Sequence, residues 1–554
     1  MPGRNQRITA ALLPWRVSIV TTTLLLALPV LVVVSYGLLP AGEVWRHLAD
    51  TVLADYVSNS LLLMLEVATG TLLIGVSTAW LTTMCRFPGR ALFEWALLLP
   101  MAMPAYIIAY TYTGMFDVAG PVQSALREWL DLSYGDYWFP EIRSLGGAGI
   151  MLSLTLYPYV YLLSRAAFLE QSVCVLEVSR TLGNGPWQTF FRVALPLARP
   201  AVVAGLSLAL METLADYGTV QYFGIGTFTT GIFRTWFGMD DSAAAAQLST
   251  TLLLFVFTLV LLERWSRRRM RYHHSSQRHQ SLPGFVLRGH QKMGAILICS
   301  GALFFGFLLP AGQLLFWAIE TRNMIDSSFL QLTLNTVGLA AGTALLALLL
   351  ALLMGYGKRL IPERLTSASV RIAGMGYAVP GTVIAVGVML PLAWIDNSLD
   401  SLMREHFGIS TGLLLSGTLI ALVFAYLVRF LAVSLQTVEA GLGKIRQTID
   451  ESARSLGARP GEVLTRIHLP MLKGSLLTAL LLVFVDVMKE LPATLVLRPF
   501  NFNTLAVRAF ELASDERLMD SSSAALAIVL AGIIPVILLS RSIRHSRAQH
   551  DLST

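Results

Sequence analysis

The stretch EVSRTLGNGPWQTFFRVALPL at residues 177–197 and the stretch ESARSLGARPGEVLTRIHLPM at residues 451–471 align without a gap at an offset of 274. Glu177 falls on Glu451, Arg180 on Arg454, Gly183 on Gly457, Pro186 on Pro460, Arg192 on Arg466, and Leu195-Pro196 on Leu469-Pro470. A period this long means that half of the chain is repeated, a common way of building proteins that span membranes. Upstream of each copy the correspondence continues, with Asn59 matching Asn335 and Pro104 matching Pro380.

What surrounds the repeats is apolar. Of 554 residues, 55% are hydrophobic and 14% charged, against roughly 25% charged in soluble domains. A bilayer core about 30 Å thick is crossed by about 20 apolar residues. Twelve stretches suit that purpose: 17–39, 59–81, 92–113, 146–164, 201–222, 247–262, 294–317, 335–356, 372–394, 412–428, 474–496 and 524–540. The chain therefore reads as all-α and polytopic, with two homologous six-helix halves at 1–263 and 293–554 and a basic linker at 264–292. An even number of spans per half makes both halves enter the membrane in the same direction, a parallel repeat about an axis along the membrane normal.

Basic loops are retained on the cytoplasmic side of a membrane. With both termini cytoplasmic, the inner segments carry 31 of the 41 Lys and Arg residues, the outer segments carry 9, and Lys489 falls within a span. The outer loops are acidic, as at Asp117, Asp131, Asp136, Glu141, Asp240 and Asp241. The net charge of +7 does not indicate nucleic acid, because the basic residues lie between apolar runs rather than on one folded face. The run RWSRRRMRYHHSSQRHQ at 264–280 reads as a topogenic loop, and His273, His274 and His279 stand there among arginines rather than in a metal-binding pattern. Cys85, Cys174 and Cys299 form no C-x-x-C, so they support neither a zinc site nor a disulfide framework. Arg4, Arg7 and Arg16 precede an apolar stretch too long for a signal-peptide core, which predicts a retained first helix.

Each repeated loop reads E-x-x-x-x-x-G, then nine residues, then [VI]-x-L-P. A short helix that ends at Gly183 or Gly457 gains a residue suited to a left-handed cap. The following Leu195-Pro196 or Leu469-Pro470 suits the start of the next helix. Such an element can transmit a rigid-body push. An amphipathic helix merely resting on headgroups has no need of the same spacing twice.

This spacing resembles the EAA loop of ABC importer permeases. Longer stretches resemble the fused iron(III) importer permeases over nearly the whole chain: EQSVCVLEVSRTLG at 170–183, ETLADYGTVQYFGIGTFTTGIFRTWFG at 212–238, YAVPGTVIAVGV at 377–388 and DVMKELPATLVLRPFNFNTLAVRAFE at 486–511. Val178 and Ser452 depart from the small residues of the EAA pattern. The resemblance implies that Glu177, Gly183, Leu195, Pro196, Glu451, Gly457, Leu469 and Pro470 couple to two copies of a separate ABC ATPase subunit. It also implies an external binding protein, a bacterial inner membrane and Fe3+ as cargo. Fused permeases for thiamine, phosphonates or sugar phosphates share this architecture. No G-x-x-x-x-G-K-[ST] occurs in the chain, Gly443-Lys444 being followed by Ile445. ATP and Mg therefore belong to the partner, and no cofactor is assigned to this chain.

Four acids fall within spans. Glu212 and Asp216 in the fifth recur as Asp486 and Glu490 in the eleventh, again at an offset of 274. Spaced i, i+4, each pair shares one face of a continuous helix. Carboxylates cost roughly 2.5–3.5 kcal/mol at a helix centre, so they should face partners or a cavity. Oxygen donors suit a hard cation, and the four acids are candidates for a transient metal site along a substrate pathway. Neutralisation of the neighbouring Lys489 is the competing explanation. Tyr106, Tyr110 and Tyr112 could ligate iron, but their position near a span end favours an interfacial aromatic belt. Glu66 in the second span has no evident partner. An intramembrane enzyme is not supported, since neither H-E-x-x-H nor a convincing G-x-S-x-G is present. An ion-coupled secondary transporter would not need the paired loops.

Overall fold

The computed structural model describes residues 4–40, 42–171, 179, 181, 183, 185–268, 285–321 and 327–551. Helix dominates it. Ten helices are long and apolar enough to cross a membrane: Leu13–Tyr36, Leu53–Met84, Leu145–Leu169, Trp187–Ala215, Ser242–Trp265, Gly289–Glu320, Ser327–Leu360, Gly381–Phe407, Leu419–Gly443 and Leu518–Ile537. Two further pairs pass the same test only as bent units, Arg90–Ala102 with Ala105–Leu130 at 90° and Pro460–Met471 with Lys473–Met488 at 81°. The first bend falls within the third expected span, 92–113, and the second just before the eleventh, 474–496, whose helix Lys473–Met488 ends short of the expected limit. At the first of these bends stands Pro104, which has no N–H to continue a helix and begins the next helix with φ −59° and ψ 143°. Pro380 does the same for Gly381–Phe407, with φ −56° and ψ 143°.

The tenth span also moves, from the expected 412–428 to Leu419–Gly443. The apolar reading stopped at Arg429, which the structure places inside the helix and neutralises there. Ser144 and Thr418, another repeat-related pair, cap the helices that follow them. The Ser144 hydroxyl accepts from the Gly147 N–H and the Thr418 hydroxyl from the Ile420 N–H, each satisfying a donor that a helix start leaves open.

The chain forms two compact units that cut across the sequence halves. One comprises Met1–Trp45, Ile232–Thr251 and Ile325–Arg508; the other comprises Arg46–Gly231, Leu252–Met324 and Ala509–Thr554. In the first, the N-terminal helix lies against second-half helices, and Thr23 donates from Oγ1 to the Ser369 carbonyl at 3.2 Å. In the second, Leu53–Met84 packs along Leu145–Glu170. The two-residue strands Cys85–Arg86 and Phe285–Val286 pair in parallel beside them, and Cys85 and Cys299 are buried and free. Cys174 and residues 269–284 of the linker, including its three histidines, lie outside the described residues.

Candidate functional site: helix breaks and repeated loops

Both acid-bearing helices break where the acids stand. Leu195–Ala215 ends just before Asp216, and a short helix, Gly218–Tyr222, follows. Lys473–Met488 ends just before Lys489, and Pro492–Leu497 follows. The break corrects the expectation of two acids on one face of a continuous helix, because Asp216 and Glu490 lie past the helix ends. There they take up backbone donors that a helix start leaves open. Asp216 accepts from the N–H groups of Thr219 and Val220, each at 3.1 Å. Glu490 accepts from those of Ala493 at 3.0 Å and Thr494 at 3.1 Å. The two acids perform one structural task at repeat-related positions. Each break is also tied back by an asparagine. Asn59 donates to the Gly226 carbonyl at 2.9 Å, and Asn335 to the Asn503 carbonyl at 3.4 Å.

The surroundings differ. At the second-half break the carboxylates meet cations: Glu490 pairs with Arg429 at 3.3 Å and Asp486 with Lys489 at 2.9 Å. Gly381 is packed so closely that a Cβ there would lie 2.7 Å from both Arg429 Nη1 and Glu490 Oε1. Threonine hydroxyls serve both breaks: Asp216 accepts from Thr219 Oγ1 at 3.0 Å and its main-chain carbonyl from Thr229 Oγ1 at 2.7 Å, while Glu490 accepts from Thr494 Oγ1 at 2.7 Å on its carboxylate and at 2.8 Å on its main-chain carbonyl. Glu212 is half-buried on the helix before it. Four tyrosines gather here. Tyr110 is ringed by Tyr106, with centroids 5.7 Å apart, and Tyr222, at 4.6 Å, and it lies within electrostatic reach of Asp216 and Tyr217.

Tyr106, Tyr110 and Tyr112 are 5%, 2% and 4% exposed, which overturns their expected place in an interfacial belt. A belt residue keeps its polar tip in water, whereas Tyr112 donates to the Phe305 carbonyl at 2.6 Å. The Tyr110 hydroxyl is buried with no hydrogen-bond partner among the described residues, and one buried oxygen of Glu66, beside Gly149, likewise has none. Among the described residues, no three or more His, Cys, Asp or Glu side chains are grouped to hold a metal ion.

The repeated loops are anchored by different chemistry. In the second copy the helix Gln447–Ser455 ends at Gly457, whose φ of 89° is left-handed; Gly183 in the first copy has φ 82°. Both angles meet the expectation of a glycine cap. Leu195-Pro196 and Leu469-Pro470 do not start helices as expected: each follows a π-helical turn, Phe190–Ala194 or Leu464–His468, within a helix that has already begun at Pro186 or Pro460. Glu177 lies outside the described residues.

Asp450 fixes the second loop to the end of Ser327–Leu360 through Arg359 at 2.7 Å, and His468 Nε2 stands 2.9 Å from its other oxygen. The Tyr356 hydroxyl donates to the Pro460 carbonyl at 2.7 Å. In the first copy, Trp80 packs on Phe190 with centroids 5.0 Å apart and on Phe168 at 5.6 Å. Beside the second loop lies a groove of about 690 Å³ lined by Thr448, Ile449, Ser452, Leu456, Glu462 and Arg466. Leu456 stands 89% exposed at its rim.

Residues 71–272 and 347–547 each match the binding-protein-dependent transport system inner membrane component family. The chain is 27% identical over 531 residues to the Fe(3+)-transport system permease protein FbpB 2 of Haemophilus influenzae, covering 94% of this chain and 97% of that one. It is 25% identical over 483 residues to the ferric transport system permease protein FbpB of Actinobacillus pleuropneumoniae, covering 81% and 66%. A shorter match, 28% over 176 residues, is to the molybdenum transport system permease protein ModB of Escherichia coli K12, covering 31% and 74%.

Proposed function

The chain belongs to the family of binding-protein-dependent transport system inner membrane components, and on that premise we propose that it is the permease of an ATP-driven importer of ferric iron. It is a transport subunit rather than an enzyme. The observation that carries the ferric reading is the similarity to a ferric permease along 94% of this chain and 97% of that one. The oxygen-rich chemistry of the helix breaks agrees with it, since carboxylate and hydroxyl donors suit a hard cation.

In this reading the protein lies in the bacterial inner membrane with both termini cytoplasmic. An external binding protein delivers Fe3+, and two copies of an ATPase subunit hold ATP and Mg beneath the repeated loops. Glu177, Gly183, Leu195 and Pro196, with Glu451, Gly457, Leu469 and Pro470, form the two coupling levers. The groove beside Gln447–Ser455, with exposed Leu456 on its rim, takes part in docking the ATPase. ATP-driven closure of the two ATPase subunits moves the levers and alternates access to the route. Glu212, Asp216, Asp486 and Glu490 stand along that route, the second-half pair neutralised by Lys489 and Arg429, and the cation's stay there is brief because conduction requires sites weak enough to release.

The test is uptake of labelled Fe3+ into vesicles holding the reconstituted complex, with loaded binding protein and ATP, and with molybdate as the rival cargo. ATP-dependent accumulation of iron is expected. Accumulation of molybdate instead would keep the transport assignment and overturn the cargo. Iron uptake by the purified chain without any ATPase subunit would overturn the ATP-driven mechanism.

A further inference from the structure

The repeat brings two aromatic side chains to equivalent places beside the repeated loops. Trp80 and Tyr356 stand 276 residues apart, the spacing that relates Asn59 to Asn335 and Pro104 to Pro380. Each lies near the C-terminal end of a long helix, Leu53–Met84 or Ser327–Leu360, and they are 2% and 1% exposed. Each also meets the loop of its own half at a matching position. Trp80 packs on Phe190 with ring centroids 5.0 Å apart. Leu464, 274 residues after Phe190, packs against the cluster of Tyr356, Leu360 and Ile361.

A further aromatic residue completes each seat, and it comes from the approach to the other half. Trp15, at the start of the first span, meets Tyr356 edge-on with centroids 5.5 Å apart and packs on the same cluster as Leu464. Its helix is held there by Arg16 with Glu363 at 3.6 Å and by Thr23 on the Ser369 carbonyl. Phe285, at the end of the linker that leads into the second half, lies 6.1 Å from Trp80. Strand pairing of Phe285–Val286 with Cys85–Arg86 fixes it, and the Leu287 N–H donates to the Arg86 carbonyl at 3.2 Å. The two contributors are not copies of each other. Shifting Trp15 forward by 274 or 276 residues gives Gly289 or Gln291, and shifting Phe285 back gives Ala11 or Thr9. One sits on a helix and the other on a strand, so duplication of the half does not account for the match.

We infer that Trp15 and Phe285 are positioning residues for coupling, each bracing the repeated loop of the half it does not lead into. This rests on the reading of those loops as coupling levers and adds the residues that hold each lever's seat. A lever transmits displacement only if its base does not yield, and large aromatic side chains with few torsions make a stiff base. A push on the first lever passes through Phe190 and Trp80 to Phe285 and the first helix of the second half. A push on the second passes through Leu464 and the Tyr356 cluster to Trp15 and the first helix of the first half. The crossed braces thereby tie both levers to one stroke.

The test compares Trp15→Ala, Phe285→Ala and wild type as full complexes, in nanodiscs for hydrogen exchange and in vesicles for transport. Both residues are half-buried, and Trp15→Phe and Phe285→Tyr, which keep a ring, serve as rescue variants. Trp15→Ala should speed exchange in residues 460–471 and leave 186–197 unchanged, and Phe285→Ala should do the reverse. The expected acceleration is about two- to tenfold, the range one aromatic contact is worth. Fe3+ imported per ATP hydrolysed should fall in both and return in the variants that keep a ring. Exchange that rises in the wrong loop, in both loops alike or in neither would overturn the crossed brace and leave the transport reading standing. Crossed exchange with an unchanged ratio of uptake to hydrolysis would make the contacts plain packing and overturn their part in coupling. A wild type whose ATP hydrolysis drives no uptake would remove the lever reading and the brace together.

Discussion

At the second-half break, Glu490 and Asp486 are held by Arg429 and Lys489. At the first-half break, Asp216 caps its short helix with the same bonds among tyrosines. Two copies of one backbone solution have therefore been filled differently. The capping bonds are what a broken helix requires in either half, and they explain why a carboxylate recurs at both positions. What surrounds the carboxylate is not dictated by the break. Arginine in the second half turns it into part of a lock, whereas in the first half the capping bonds of Asp216 come from Thr219 and Val220.

The sharpest way to break the comparison is to unlock the second half. Glu490→Ala removes the carboxylate that pairs with Arg429, which is 8% exposed, and with it two helix caps. A loss of about 3–5 kcal/mol is expected on removing one partner of a buried ion pair, read as a fall in melting temperature. Replacing Arg429 by methionine in the same protein should recover part of it, and no recovery would refute the lock. Next in size, Gly381→Ala drives a methyl group between Arg429 and Glu490 and should cost about 1–3 kcal/mol, as overpacked sites do. Full stability in that variant would show that the pair has room to move.

A smaller effect separates the two repeated loops. Burial holds the His468 imidazole below its ordinary pKa, in spite of Asp450 beside it. The folded loop then favours the neutral ring, while the unfolded chain protonates near about 6.5. Stability from this residue is present above that pH and lost as pH falls toward the folded value. Melting temperature measured between neutral and mildly acidic pH should therefore decline on acidification, and less so in His468→Asn. Identical pH profiles for the two proteins would remove His468 from the account. Ala194 occupies the matching position in the first loop, which has no such titration there.

Much of this architecture is legible in the sequence. The repeat is visible because glycine and proline have backbone duties that few residues replace: Gly183 and Gly457 adopt left-handed φ angles, and Pro104 and Pro380 begin helices. The breaks after Ala215 and Met488 are hidden, because the residues on either side continue the apolar run and the capping acids look like helix-face acids. Arg429 marks the end of a span to any hydropathy reading. Only its partner 61 residues away, Glu490, shows that the helix continues through it. The burial of Tyr110 is equally a matter of packing, since a tyrosine near a span end has the same local pattern in a belt or in a core. The docking of the N-terminal helix with second-half helices leaves no mark in its composition.

The two breaks, alike in backbone and capping bonds, differ in function because only the second pairs its acids with Arg429 and Lys489. The most direct measurement compares ATP-driven Fe3+ uptake by Glu212→Gln with uptake by Asp486→Asn/Lys489→Met, which removes a self-neutralising pair and leaves the net charge of the break unchanged. The account predicts a marked fall in uptake for the first variant and near wild-type uptake for the second. Equal falls in both would contradict it and give the acids of the two breaks the same role.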